Sequence, residues 1–344
     1  MKIALDATYS AGENLTGVGV YSRAILNGLA ASHPDVRFRF CYRPHRLLRS
    51  FQSQIPSNAS RRLLLKSSAP SADLYHALNQ RVDSHHPRTV CTFHDLFVIS
   101  GDYSTPDFRS RFTAQARAAA ERSHRIIAVS HFTAGQVEKF LGVDPGRIRV
   151  IHHGVDPPSE PPATAHREKI ILFVGALQRR KNIVRLVEAL EQLPRGWRLA
   201  LAGSHGFGAE EIRARIEASP RRSDIQPLGY VTNLVLSDLY RRASIFAFPS
   251  LDEGFGMPLL DAMANGVPVL TSNVSAMPEV AGDAALLVDP LDTDAIASGL
   301  SKLIDDSDLR ARLTQTGLAR AKEFTWQTAV EKTWRVYEEL LAGG

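Results

Sequence analysis

FPSLDEGFGMPLLDAMANGVPVLT, residues 248–271, sets the reading of the whole chain. An apolar run over 245–249 predicts a strand that ends in the glycine-rich turn Glu253-Gly254-Phe255-Gly256. Met257-Pro258 then opens a short helix, because proline near the start of a helix sacrifices no hydrogen bond. Asn265-Gly266, with Pro268 beyond, ends it. Backbone N–H groups at such a junction, here those of Phe255, Gly256 and Met257, and the positive end of the helix dipole suit an anion, above all phosphate. Two acids bracket the site, Glu253 before the turn and Asp261 on the helix. Taken singly, each also reads as an ordinary turn or helix-start acid; together they suggest that one part holds phosphate while the acids hold hydroxyls.

The chain has 344 residues, enough for about two domains with their own cores. Apolar and charged fractions are those of a water-soluble globular protein. Cys41 and Cys91 give neither a disulfide framework nor metal spacing, as expected in a reducing compartment. No apolar run reaches membrane-spanning length, and Met1-Lys2-Ile3 leads into a strand rather than a signal peptide, so a cytoplasmic chain is expected. Residues 1–165 hold 20 basic and 13 acidic residues, a net +7, against −2 for the remainder. A basic first half can meet a membrane surface, nucleic acid or an acidic substrate, or simply be solvated. Residues 43–51 and 61–66, where Arg and Lys flank Leu and Phe, make peripheral contact with the inner face of a membrane one expectation.

Short apolar runs alternate with helical patterns throughout. Strands are predicted over 2–7, 36–42, 74–78, 89–93, 125–129 and 147–151, then over 170–174, 198–202, 225–228, 245–248, 267–271 and 284–288. Tyr21, Ile25 and Leu29, or Leu186, Leu190 and Leu193, recur at helical spacing between them. Strand–helix alternation means parallel sheet with crossover helices, and it occurs twice. The proline-rich run 157–164 reads as a stiff linker. The expected fold class is therefore α/β, two Rossmann-like domains facing a central cleft, over 1–160 and 166–325. A last helix, 326–341, places Val330, Trp334, Tyr337 and Leu341 on one face.

Ligands of open parallel sheets bind beyond the carboxyl ends of the strands. There the sequence places Gly17 and Gly19, His94-Asp95, Arg179-Arg180-Lys181, Gly203, Gly229-Tyr230-Val231 and Glu253. Gly17 and Gly19 are no dinucleotide fingerprint, since the third glycine and the distal acid are missing. Three cations at a helix start oppose its dipole by roughly 0.3–1 kcal/mol each, which suggests a bound anion, although a solvated helix start is the plainer alternative. His94 alone also fits a hydrogen-bonded core histidine. Asp292-Thr293-Asp294 and Asp306-Ser307-Asp308 match a short D-x-D metal string but read better as helix caps. No metal ligand and no cofactor are assigned.

The 248–271 stretch resembles the signature of the retaining, nucleotide-sugar-dependent glycosyltransferases known as "glycosyl transferase group 1", which carries two glutamates with seven residues between them. Here the second is Asp261, one methylene shorter. The resemblance extends to the 17–19 glycines, His94-Asp95, Ser130, Gly154–Asp156, Arg180–Asn182, Gly229–Val231 and Pro278-Glu279. It implies a GT-B architecture whose first domain binds the acceptor and whose second binds the donor, with the last helix packed back on the first. It places Glu253 and His94 at the reacting sugar and Arg180, Lys181 and the amides of Phe255, Gly256 and Met257 on the diphosphate. Asp261, Tyr230, Val231 and Gly203 fall at the nucleoside, and Gly17, Gly19, Tyr21 and Asp95 on the acceptor side. It implies transfer of a hexose, without metal, to a glycan or lipid-linked acceptor. Likeness to the mannosyltransferase branch points to mannose from GDP-mannose, with a UDP-sugar as the other donor. A sugar-nucleotide epimerase of the same architecture and a non-catalytic nucleotide-sugar sensor are the alternatives. Nucleic acid is not an expected partner.

Overall fold

A computed structural model of the chain describes residues 1–12, 14–66, 70–158 and 167–343. It divides into two compact units, Met1–Gly154 with Thr325–Gly344, and Val155–Phe324.

The first unit holds a seven-stranded sheet of β1 (Lys2–Asp6), β2 (Arg37–Tyr42), β3 (Ala59–Leu63), β4 (Leu74–Ala77), β5 (Thr89–Phe93), β6 (Arg125–Ala128) and β7 (Ile148–Val150), in the order β3-β2-β1-β4-β5-β6-β7. The second holds β8 (Glu168–Val174), β9 (Arg198–Ala202), β10 (Ile225–Gly229), β11 (Ala243–Phe248), β12 (Val269–Ser272) and β13 (Ala285–Val288), in the order β10-β9-β8-β11-β12-β13. All pairings are parallel. Strands covered on both faces have no polar side to show, which is why Ile170–Phe173 and Ile245–Phe248 are unbroken buried apolar runs. In each sheet the order reverses once, between β1 and β4 and between β8 and β11, and those reversals are where such sheets take ligands.

β3 is absent from the strand expectations above. Its sequence, Ala-Ser-Arg-Arg-Leu, carries no β-branched or aromatic residue. It is an edge strand, half-exposed, so it needs no second apolar face.

The C-terminal helix Trp326–Ala342 belongs to the first unit. Ala329, Val330, Val336 and Tyr337 join its core with Ile3, Leu5, Tyr21 and Ile25, while Trp334 and Leu341 pack partly buried against it. Gly28, on the helix Gly17–Ser32, lies where any Cβ would collide with Val330, so the glycine sets the helix approach. The Tyr337 hydroxyl meets His76 Nδ1 at 2.6 Å. The first unit ends at Gly154, ahead of the expected boundary at residue 160. Gly154 sits against the backbone of Thr325 and Trp326 too closely for a side chain, which fixes the point where the chain departs and returns. Of the expected linker, Pro157 and Pro158 lack regular structure and residues 159–164 lie outside the described residues.

Candidate active site

In the second unit the functional side chains collect at the reversal between β8 and β11. β8 runs into Gly175 and a 3₁₀ turn, Arg179–Lys181, closed by Asn182 in left-handed conformation (φ 60°). Asn182 is held there by donating Nδ2–H to the Pro249 and Pro290 carbonyls at 3.0 and 2.6 Å. Its anchor on Pro249 ties this turn to the end of β11. Arg180 also accepts the Leu251 N–H at 2.7 Å, and its Nη1 donates to the Asp252 carbonyl at 2.8 Å.

The outcome is a convergence that spacing alone does not show. Arg180 Nη1 lies 2.9 Å from Glu253 Oε1, and Lys181 Nζ is paired with the same oxygen. Lys181 and Glu253 are nine-tenths buried. Burial alone would raise the Glu253 carboxyl, but Arg180 and Lys181 outweigh it and hold it below the usual glutamate value. Glu253 is thus an anion at neutral pH. Of the three cations in the turn, Arg179 turns away, pairing with Glu211 and covering the Phe207 ring. Glu253 also lies beside residues 275–276, since its carbonyl accepts the Ala276 N–H at 3.2 Å.

Gly256 adopts φ 89° as the residue before the helix Met257–Ala264, so the turn from β11 into that helix needs a glycine. Phe255 is buried and meets Phe324 edge-on. Asp261, on this helix, is half-buried. Burial first, and then the charge of Asp156, push its carboxyl up to about 7. Gly203 (φ 158°) ends β9 so close to the Gly175 backbone that no side chain fits, and its N–H donates to the Gly229 carbonyl at 2.8 Å. Tyr230 is exposed and Val231 half-buried just before the helix Asn233–Arg242.

In the first unit, His94 ends β5 and is buried. Nε2 donates to the Leu78 carbonyl at 2.9 Å, which leaves Nδ1 unprotonated, and burial lowers the ring to about 4. Its ring stacks on His153 at 5.4 Å. Asp95 follows it, half-buried. Gly17, Gly19 and Tyr21 belong to the helix Gly17–Ser32. Gly17 and Gly19 lie in the first turn of the helix that Thr16 precedes. A Cβ at Gly19 would stand 2.7 Å from the Tyr9 carbonyl, so the close approach there is made by the chain's own backbone. Tyr21 is wholly buried. Its hydroxyl shares Thr92 Oγ1 (3.0 Å) with His76 Nε2 (2.8 Å), and its ring lies 4.8 Å from both His94 and His153. Tyr21 thus reaches a ligand only through those neighbours.

Sequence reasoning passed over two groups. Ser250 and Ser272 are fully buried where β11 and β12 end, and Ser275 holds a left-handed φ of 59°. Their hydroxyls find no hydrogen-bond partner among the described residues. No spacing marks single serines, so nothing in the sequence singles these three out. The other group lies at the β1–β4 reversal: Asp6 Oδ2 accepts from Arg43 and Asn79, each at 3.2 Å, and Arg43 also pairs with Asp83. Asp292 caps the helix Thr293–Asp305 through the Asp294 and Ala295 N–H groups, and Asp306 caps Ser307–Ala321 through Leu309. Among the described residues no group of three His, Cys, Asp or Glu could hold a metal.

The family described as "Glycosyl transferases group 1" matches residues 158–320, and "Glycosyltransferase Family 4" matches residues 15–158. The O-antigen chain mannosyltransferase B of Escherichia coli is 32% identical over 283 residues, 78% of this chain and 74% of that one. Among solved structures, sucrose-phosphate synthase from Thermosynechococcus elongatus superposes with a TM-score of 0.81 at 20% identity, covering all of both chains. Anabaena Alr3699/HepE in complex with UDP-glucose does so at 0.77 and 18% identity, over 99% of this chain and 100% of that one. Two parallel sheets of the same strand order, and the likeness to a mannosyltransferase over three-quarters of both chains, lead to one conclusion: this chain belongs to the group 1 glycosyltransferases and is a glycosyltransferase of GT-B fold.

Proposed function

We propose that the protein transfers mannose from GDP-mannose, with retention of configuration, to a glycan or lipid-linked acceptor at the inner face of a membrane. The observation that carries this reading is the pairing of Arg180 and Lys181 with Glu253 at the β8–β11 reversal. Two buried cations need a counter-anion. Without ligand Glu253 supplies it. A nucleoside diphosphate brings more charge, takes over both cations, and frees Glu253 to accept hydrogen bonds from the sugar hydroxyls. Arginine suits bidentate phosphate contact and lysine adds a point charge.

Breaking the anomeric C–O bond puts positive charge on the sugar and negative charge on the diphosphate. Arg180, Lys181 and the start of the helix Met257–Ala264 stabilise that leaving group as it ionises. The acceptor oxygen attacks from the same face, and its proton passes to the departing phosphate oxygen. His94, neutral, accepts a sugar hydroxyl at Nδ1. Asp261 holds the ribose and Tyr230 the base. The mannosyl preference is supported by the 32% identical relative. The UDP-glucose complex of a structural neighbour supports a nucleotide-sugar donor in general.

The test follows nucleotide release from GDP-mannose, UDP-glucose, UDP-N-acetylglucosamine and ADP-glucose, with and without a panel of sugar acceptors. Acceptor-dependent release of GDP, with the product anomer read by NMR, is the expected result. Release of UDP without acceptor would mark an epimerase, and donor binding without release a sensor.

A further inference from the structure

The hydrogen bond from His94 Nε2 to the Leu78 carbonyl, 2.9 Å long, fixes which nitrogen carries the proton. It lets the ring roll about the bond, so it does not by itself aim Nδ1. Ring contacts do. The His153 ring lies over one face of His94, 16° from parallel, with centroids 5.4 Å apart. Tyr21 stands edge-on to His94 at 78° and also meets His153, both at 4.8 Å. Behind His153 is Trp326, the first residue of the C-terminal helix, at 6.0 Å. Tyr21 is tied through Thr92 and His76 to Tyr337 on the same helix. His94 is 6% and His153 4% exposed, so little water reaches the stack.

Two imidazoles buried face to face are a costly way to fill a core. Each brings two ring nitrogens out of water, where an aliphatic or phenyl side chain would bring none. The pair makes sense if one ring is wanted for its nitrogen and the other for its flat face. A ring stacked on His94 covers the face and leaves Nδ1, which lies in the ring plane, uncovered. We propose that His153 is the positioning residue of His94: its ring fixes the plane of the His94 imidazole, and with it the direction of Nδ1, and keeps water off that face. This rests on the role given to His94 under the proposed function, and it makes the C-terminal helix, through Trp326, part of the support. Within the first unit the titratable groups about His94 are His153, Tyr21, His76 on the neighbouring strand β4 and Asp95 next in the chain. Burial keeps both other histidines neutral, and burial is the main cause that lowers His94 itself.

The test is an NMR titration of the His94 ring in the full chain, over the range in which each protein stays folded, beside kcat and KM for the preferred donor. Wild type, His153→Ala and His153→Phe are compared. In wild type the ring should titrate at about 4. His153→Ala opens one face to water, and the value should rise toward the ordinary 6.5. His153→Phe keeps a flat ring in place, and the value should stay at about 4. In His153→Ala kcat should fall about a hundredfold, the order expected when a reacting contact is displaced. Donor KM should change little, because the groups given to the diphosphate stand in the second unit. His153→Phe should keep most of kcat. A positioning residue acts only through its partner, so His94→Ala with His153→Ala should be no slower than His94→Ala alone. A His94 ring that still titrates at about 4 in His153→Ala overturns the proposal. So does a His153→Phe protein as slow as His153→Ala, or a double variant in which the two losses add in full. Normal turnover in His94→Ala would instead remove His94 from the sugar, and the ring titration would still decide what His153 does.

Discussion

At the carboxyl end of the second sheet stand two cations and an ionised carboxylate; in the first unit the ion pair of Asp6 and Arg43 closes β1, and the rest of the cluster is three histidines and two tyrosines, buried and uncharged. Both sheets reverse their strand order once, so topology alone does not make the difference. The second unit keeps charge inside by pairing it, Arg180 and Lys181 with Glu253. The first also pairs a buried charge, Asp6 with Arg43, but it keeps its buried histidines neutral: burial lowers His94 to about 4 and His76 to about 3, and drives His153 well below its ordinary value. Under the proposed function the difference has a use: a diphosphate site needs fixed charge that can be re-paired, whereas a site for a neutral sugar needs hydrogen-bonding groups that do not ionise.

The largest effect should come from breaking the paired charge. Glu253→Gln leaves two buried cations without their counter-anion. It should lower stability by about 3–5 kcal/mol in denaturant titration and turnover by orders of magnitude. Added nucleoside diphosphate should restore stability more to this variant than to wild type. Normal turnover would remove Glu253 from the sugar.

The first unit should respond instead to acid. A histidine whose folded value lies below its unfolded one stabilises the fold above about 6.5. That contribution is lost as pH falls toward the folded value, because the unfolded chain takes up the proton. The slope is up to about 1.4 kcal/mol per pH unit for each histidine. Amide exchange, corrected for intrinsic rates, should show residues of the first unit losing protection between pH 6.5 and 4. Equal loss in both units would break the contrast.

Asp261 should act in the opposite sense. Its carboxyl is raised from 3.8 to about 7 by burial and by Asp156. The cost of ionising it therefore grows as pH rises between those values, again by up to about 1.4 kcal/mol per unit. Asp261→Asn should flatten this dependence in the second unit and weaken nucleotide binding, while keeping much of kcat. Asp261→Glu tests the shorter acid directly: if the backbone compensates for the missing methylene, the longer side chain should bind nucleotide worse.

The fold was legible because parallel strands covered on both faces must be continuous apolar runs, as Ile170–Phe173 and Ile245–Phe248 are. β3 escaped because an edge strand is free of that demand. The site was legible at its glycines and charges, since Gly256 and the Arg179–Lys181 turn follow strand ends. What the sequence did not reveal was geometry across the sheet. Lys181 and Glu253 are 72 positions apart, and only the adjacency of β8 and β11 makes them a pair. Nor does spacing tell a glycine opened to a ligand from one closed on its own backbone, as Gly19 is on Tyr9.

The central claim is that Arg180 and Lys181 form a phosphate site whose ligand-free counter-anion is Glu253. Calorimetric titration of free GDP and UDP into wild type, Lys181→Ala and Glu253→Gln tests it most directly. Lys181→Ala should bind the preferred nucleotide more weakly by about 1.5–3 kcal/mol, the worth of a charge-assisted contact. Glu253→Gln, with no carboxylate competing for the cations, should bind it at least as tightly as wild type. Unchanged affinity in Lys181→Ala, or a Glu253→Gln protein that binds nucleotide more weakly than wild type, would contradict the account.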